Sequence, residues 1–87
     1  MAFVYILQSL KSGRYYIGST RDLKRRFMEH NAGYVDATRN FLPFQLVFYQ
    51  VFDALEVARA IEAKLKRLKR KDYIAKIVKD GFIREIR

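Results

Sequence analysis

The chain has no cysteine and only one histidine among its 87 residues. Disulfide staples, thiolate zinc sites and a cysteine nucleophile are thereby excluded, and one imidazole cannot build a histidine-rich metal centre. Any metal held here must be bound by oxygen. Long apolar runs are missing too. The only N-terminal one, Phe3 to Leu7, is too short for a signal-peptide core or a membrane span, and no small-residue cleavage pattern follows it. A cytoplasmic protein is the expectation. There is no internal repeat, low-complexity segment or linker, so one globular domain over residues 1–80 is expected, with a short tail over 81–87.

Acidic residues are scarce: nine Asp and Glu stand against eighteen Lys and Arg, a net charge of +9. The excess is lopsided, because residues 59–87 hold eleven Lys/Arg and four Asp/Glu. Such a basic face attracts polyanions and steers their capture, which makes nucleic acid the leading partner class. The plainer alternative is a solvated helix that serves solubility.

What is present is a set of short apolar segments. Phe3 to Leu7, unbroken and rich in aromatic and β-branched residues, reads as a strand buried on both faces and central in its sheet. Ser9 to Arg14 supplies a turn pivoting on Gly13, and Tyr15 to Thr20 returns as a second strand. With Ser12-Gly13 as a two-residue turn, Tyr5 would pair with Thr20, and Tyr5, Tyr16 and Gly18 would share one face. Ser19 with Asp22 resembles a capping box, so a helix should start near Thr20 or Arg21 and run to about Ala32, with Gly33 ending it. Leu23 and Phe27 form its apolar stripe; Asp22, Arg26 and His30 recur every four residues beside that stripe, so Arg26 and His30 can act together. Residues 34–42 read as a loop with one helical turn, and Phe44 to Phe52 as a third strand. Asp53 is the natural cap of a core-facing helix on which Ala54, Val57, Ala58, Ile61, Leu65 and Leu68 share an arc, with Glu62 at its border. A shorter helix from Asp72 to Lys79, ended by Gly81, precedes an apolar tail of Phe82, Ile83 and Ile86. The class is therefore α/β in the α+β sense: a small three-stranded antiparallel sheet flanked by helices.

Phe3-Val4-Tyr5, followed by Tyr16-Ile17-Gly18 with the second tyrosine eleven positions after the first, resembles the GIY-YIG nuclease domain. Phe3 and Val4 stand where the family has Gly and Ile. Arg26 matches the family's arginine, His30 the histidine that many members carry four residues later, and Glu62 in the run ARAIEAKLK its metal-binding glutamate, with Lys66 after it. Thr38 and Arg39 are similar to a Thr-Arg pair in the same loop of the small stand-alone members, which the chain resembles most. One departure is that several active relatives have an asparagine on the helix after the glutamate, whereas here none follows Asn40.

The resemblance implies a Mg²⁺-dependent DNA endonuclease that leaves a 5′-phosphate and a 3′-hydroxyl, with a role in DNA repair or processing. Tyr5, Tyr16, Arg26, His30 and Glu62 would form the catalytic set, and Glu62 would bind the metal. One carboxylate suits a magnesium ion that keeps most of its waters. Arg26 would fork onto phosphate oxygens, Tyr16 would hold or activate the water, and His30, with an ordinary pKa near ~6.5, would be an alternative or final proton acceptor. Arg39, Lys64, Lys66, Arg67, Lys69 and Arg70 would contact the nucleic-acid backbone, DNA first and RNA second. Larger relatives carry a separate domain for target choice; none fits here, so selectivity would come from DNA structure or a partner. Each residue also has an ordinary structural role: strand packing for the tyrosines, an Asp22–Arg26 pair, a helix-end histidine, and a Glu62–Lys66 surface pair. The alternatives are therefore a nucleic-acid-binding module of the same fold without activity, or an interaction domain whose apolar tail docks on a partner or a second copy.

Overall fold

The computed structural model describes residues 1–68 and 70–83. In chain order they form β1 (Ala2–Ser9), β2 (Tyr15–Thr20), α1 (Leu23–Asn31), a 3₁₀ turn (Arg39–Phe41), β3 (Phe44–Phe52), α2 (Leu55–Leu68) and α3 (Lys71–Asp80). The strands make one antiparallel sheet in the order β2-β1-β3. The unbroken apolar run thus takes the central place. A strand with neighbours on both sides and helices on both faces offers water nothing, and Ala2, Val4, Tyr5, Ile6 and Leu7 are all buried.

Alternation along β1 splits the core in two. Ala2, Val4 and Ile6 join Ile17 and Phe48 against Ala58 and Leu65 of α2 and Ile74 and Ile77 of α3. On the other face Tyr5 and Leu7 pack with Phe44, Tyr16, Leu23 and Phe27, with Phe41 and Leu42 closing the end. α1 therefore covers one face of the sheet, α2 and α3 the other.

The hairpin register differs from the one a two-residue turn predicts: Tyr5 lies opposite Gly18, not Thr20, and Leu7 opposite Tyr16. The cause is a longer loop. The Ser9 N–H donates to the Arg14 carbonyl (2.9 Å) and the Gly13 N–H to the Ser9 carbonyl (2.8 Å). The Ser9 hydroxyl oxygen accepts from the N–H groups of Lys11 and Ser12 at 3.1 and 3.0 Å. Gly13 closes the loop at φ 78°, a conformation that disfavours any side chain. The shift is two residues, an even number, so every side chain keeps its face.

α1 is capped by Asp22, whose carboxylate accepts from the Arg25 N–H at 3.1 Å. Ser19 stays in β2 and takes no part in the cap, so the helix begins at Leu23, later than the capping-box reading places it. β3 matches its expected bounds but carries an irregularity: Ile6 pairs with Phe48 and Leu7 with Leu46, leaving Val47 extra. That bulge switches the strand's alternation. Phe44 and Phe48, which strict alternation would put on one face, thereby enter opposite halves of the core.

α2 is rolled toward the β2 edge. Its Leu55, Ala58, Ile61 and Leu65 pack on the sheet, while Val57 and Leu68, expected in the core, lie on the far flank at 44% and 46% exposure. The Ala58 N–H bonds the Ala54 carbonyl (3.2 Å), so Ala54, and not Asp53 as expected, takes the capping position of α2. α3 follows expectation and ends at Gly81. Ile83 folds back onto the core and its N–H donates to the Gln50 side-chain oxygen at 2.9 Å, so that residue of the proposed docking tail is taken by the domain itself. Lys69 and Ile86 lie outside the described residues.

Candidate active site

Tyr5 points from the central strand across β2. Its cross-strand partner is Gly18, and a Cβ there would overlap the phenol, with Tyr5 Cε2 only 2.9 Å away. The missing side chain at Gly18 is the space the ring occupies. Tyr16, two residues before Gly18, lies on the same face and packs in the same cluster, half-buried.

α1 brings His30 and Arg26 onto this face from above. His30 is fully buried, its Nε2 3.0 Å from the Tyr5 hydroxyl and its Nδ1 2.9 Å from the Thr38 hydroxyl. Its ring lies 5.1 Å from the Tyr16 ring, edge to face. Thr38, 1% exposed, also points its hydroxyl at the Val35 carbonyl at 3.4 Å. When the Thr38 proton turns to Val35, the Thr38 oxygen accepts from Nδ1–H and Nε2 accepts the Tyr5 proton, a direction in which every group of the chain is satisfied. One chain of hydrogen bonds thus runs Tyr5 to His30 to Thr38 to Val35.

The electrostatics follow from burial. Desolvation, and then the Arg26 charge, push the His30 pKa down to about 4, below the expected ordinary value near 6.5, so the imidazole stays neutral into mildly acidic solution. It serves as a hydrogen-bond acceptor and is a poor terminal base. Burial pushes the Tyr5 phenol up to about 12, against the opposing pull of the neighbouring Arg26 guanidinium, so Tyr5 stays protonated and donates. Arg26 is held more firmly charged by the Tyr5 hydroxyl first, despite its own desolvation, and also by Glu29. It pairs with Glu29 at 3.1 Å, not with Asp22 as the i,i+4 spacing predicts. Asp22 is engaged in capping α1.

Glu62 arrives from the opposite layer. α2 packs behind the sheet, and Glu62 reaches the edge strand at Ser19, whose hydroxyl donates to Glu62 Oε1. Glu62 Oε2 pairs with Lys66 Nζ at 2.6 Å. That ammonium also lies 5.7 Å from the Tyr16 ring, and so links the carboxylate to the tyrosine face. Among the described residues no group of three or more His, Cys, Asp or Glu gathers. A cation here would rest on one carboxylate and on water, a donor set that suits magnesium, and it would have to take the place of Lys66 on Oε2.

The backbone-contact candidates are dispersed. Arg39, on the 3₁₀ turn beside Thr38, is exposed and pairs loosely with Asp36 at 3.7 Å. Lys66 and Arg70 line one cleft by the β2 edge. At about 100° per residue, Lys64 and Arg67 lie some 160° and 140° around α2 from Glu62. Sequence reasoning missed Ser19 as the Glu62 partner, because it served equally well as a cap. It also left Thr38 without a role, and Glu29 unnoticed three residues after Arg26.

These features coincide with a family assignment. The family model described as the GIY-YIG catalytic domain matches residues 1–76, and the chain belongs to that family of nuclease-type domains. Its relatives within it are small single-domain proteins. It is 44% identical over 70 residues to a UPF0213 protein of Streptococcus pneumoniae, covering 79% of this chain and 70% of that one. Against a UPF0213 protein of Streptococcus pyogenes the identity is 42% over 69 residues, covering 78% and 74%. The solution structure of a UPF0213 protein from Bacillus halodurans is similar at a TM-score of 0.57 and 35% identity, over 93% of this chain and 87% of that one. Among the described residues no helix is long and apolar enough to cross a membrane.

Proposed function

We propose that this protein is a Mg²⁺-dependent DNA endonuclease, selecting its target by DNA structure or through a partner, in DNA repair or processing. The observation that carries the reading is the meeting, at one edge of the sheet, of the Tyr5–His30–Arg26 cluster with Tyr16 and the Glu62–Ser19–Lys66 group. Hydrolysis adds water across a phosphodiester: the water oxygen bonds to phosphorus and the bond to O3′ breaks. The 3′ oxygen takes up a proton and the phosphate stays on the 5′ side. Arg26 would grip the phosphoryl oxygens as charge builds on them, its fork matching two at once. The buried Tyr5 and neutral His30 would hold Arg26 in place. Tyr16, half-buried at the cleft, would orient the attacking water and pass its released proton toward solvent. Glu62 would hold the cation, which when bound supplies positive charge at the scissile group.

A second reading is a nucleic-acid-binding module without activity. One observation favours it: both Glu62 oxygens already have partners in Ser19 and Lys66. Incubating branched, flapped and plain duplex DNA with and without Mg²⁺ separates the two. Metal-dependent cleavage supports the enzyme; binding to every substrate with no cleavage supports the module.

A further inference from the structure

Two clefts open at opposite ends of the β2 edge, one on each side of Glu62. The first, about 440 Å³, is lined by four arginines, Arg21, Arg25, Arg26 and Arg59, and by two acids, Asp22 and Glu29. The second, about 290 Å³, has Arg14, Tyr15, Lys66, Arg70 and Lys71 in its wall. From Tyr15 to Thr20 the strand advances about 16 Å. Arg59, Glu62 and Lys66, spaced three and four apart, form one ridge of α2 alongside it. Arg59 therefore enters the first cleft, Lys66 the second, and Glu62 sits between them at Ser19.

The charges in the first cleft are not equivalent. Arg25 and Arg26 are both engaged by Glu29 at 3.3 and 3.1 Å, whereas the side chains of Arg21 and Arg59 have no ion pair or hydrogen bond among the described residues. Two unpaired guanidiniums from different places in the chain, the bend after β2 and helix α2, thus share one concavity. A cleft concentrates their field on whatever anion enters, and their planar forks suit phosphate oxygens.

We propose that Arg21 and Arg59 form a phosphate subsite for a nucleic-acid strand that runs along the β2–α2 groove, over Glu62, toward Lys66 and Lys71. The proposal rests on the nuclease reading and adds to it the direction of the strand and the two residues that anchor one end. It also divides the basic residues of the chain into those that face the strand and those that do not. Lys64 and Arg67, turned away from Glu62 around α2, are solvated charge on this account and provide a control of identical net charge.

The test is equilibrium binding of a fluorescent DNA duplex in EDTA at several salt concentrations, comparing wild type with Arg21→Gln/Arg59→Gln and with Lys64→Gln/Arg67→Gln. Thermal melts verify that each variant is folded. The first pair should lower the magnitude of the slope of log affinity against log salt by about 1.8, at roughly 0.9 per phosphate contact, and the second by much less. Equal effects from the two pairs, or none from the first, overturn the subsite. If the wild type still cuts DNA with Mg²⁺ in that case, the nuclease reading stands without it; if the wild type neither binds nor cuts, both fall.

Discussion

The phenol of Tyr5 lies in the space that a side chain on Gly18, its partner across the β1–β2 pair, would fill. This one approach explains why a tyrosine on the central strand and a glycine on the edge strand go together. The ring crosses the edge backbone and delivers its hydroxyl to His30.

Gly18→Ala should therefore act on the site more than on the fold. The methyl group must push the Tyr5 ring aside, an overpacking cost of about 1–3 kcal/mol, and the hydrogen bond to His30 is lost with it. Urea denaturation should give a folded protein less stable by that amount, with cleavage reduced at least tenfold.

His30 makes stability depend on acid. Its folded pKa of about 4 lies below the unfolded value of 6.5, so between those values the unfolded chain binds more protons. Stability is then complete above pH 6.5 and falls as pH drops toward 4, by up to about 3 kcal/mol. Urea midpoints measured across that window should decline for the wild type and more shallowly for His30→Gln.

Thr38 should fix the imidazole tautomer. Nitrogen-15 NMR of the ring should find the proton on Nδ1 and a bare Nε2 facing Tyr5. Thr38→Val keeps the shape but strands a buried Nδ1–H, costing about 1–3 kcal/mol, and Thr38→Ser should restore most of it. A proton on Nε2 in the wild type would reverse the assigned direction of the Tyr5–His30 bond.

Lys66 sits on the carboxylate oxygen that a cation would use. Lys66→Met should lower the Mg²⁺ concentration needed for half-maximal cleavage, while DNA affinity weakens through the lost charge. A titration in which the half-maximal concentration rises would show that Lys66 assists the cation instead of competing with it.

Much of this was legible in the sequence because short-range rules decide it. An apolar run long enough for one strand, a turn, and Tyr16 two residues from Gly18 put both tyrosines on one face under any even register, so the error of two in pairing did no harm. Arg26 and His30 share a helix face by spacing alone. What could not be read was set by tertiary choice. Ser19 suits a helix cap and a strand equally, and only the approach of α2 decides for Glu62. The Val47 bulge has no local signal, yet it sends Phe44 to the His30 side. The low pKa of His30 comes from burial and from Arg26, and Arg21 and Arg59 meet only because α2 rolls toward β2.

The central claim is that Glu62 serves cleavage and not merely a pair with Lys66. Glu62→Gln keeps the side chain's size and an acceptor for Ser19, so stability should change by only about 1 kcal/mol. The decisive measurement is the cleavage rate of wild type and Glu62→Gln on the same DNA in Mg²⁺, beside their affinities in EDTA. The account predicts a variant that is folded, binds DNA at least as tightly, and cuts at least a hundredfold more slowly. A variant that cuts as fast as an active wild type would contradict it.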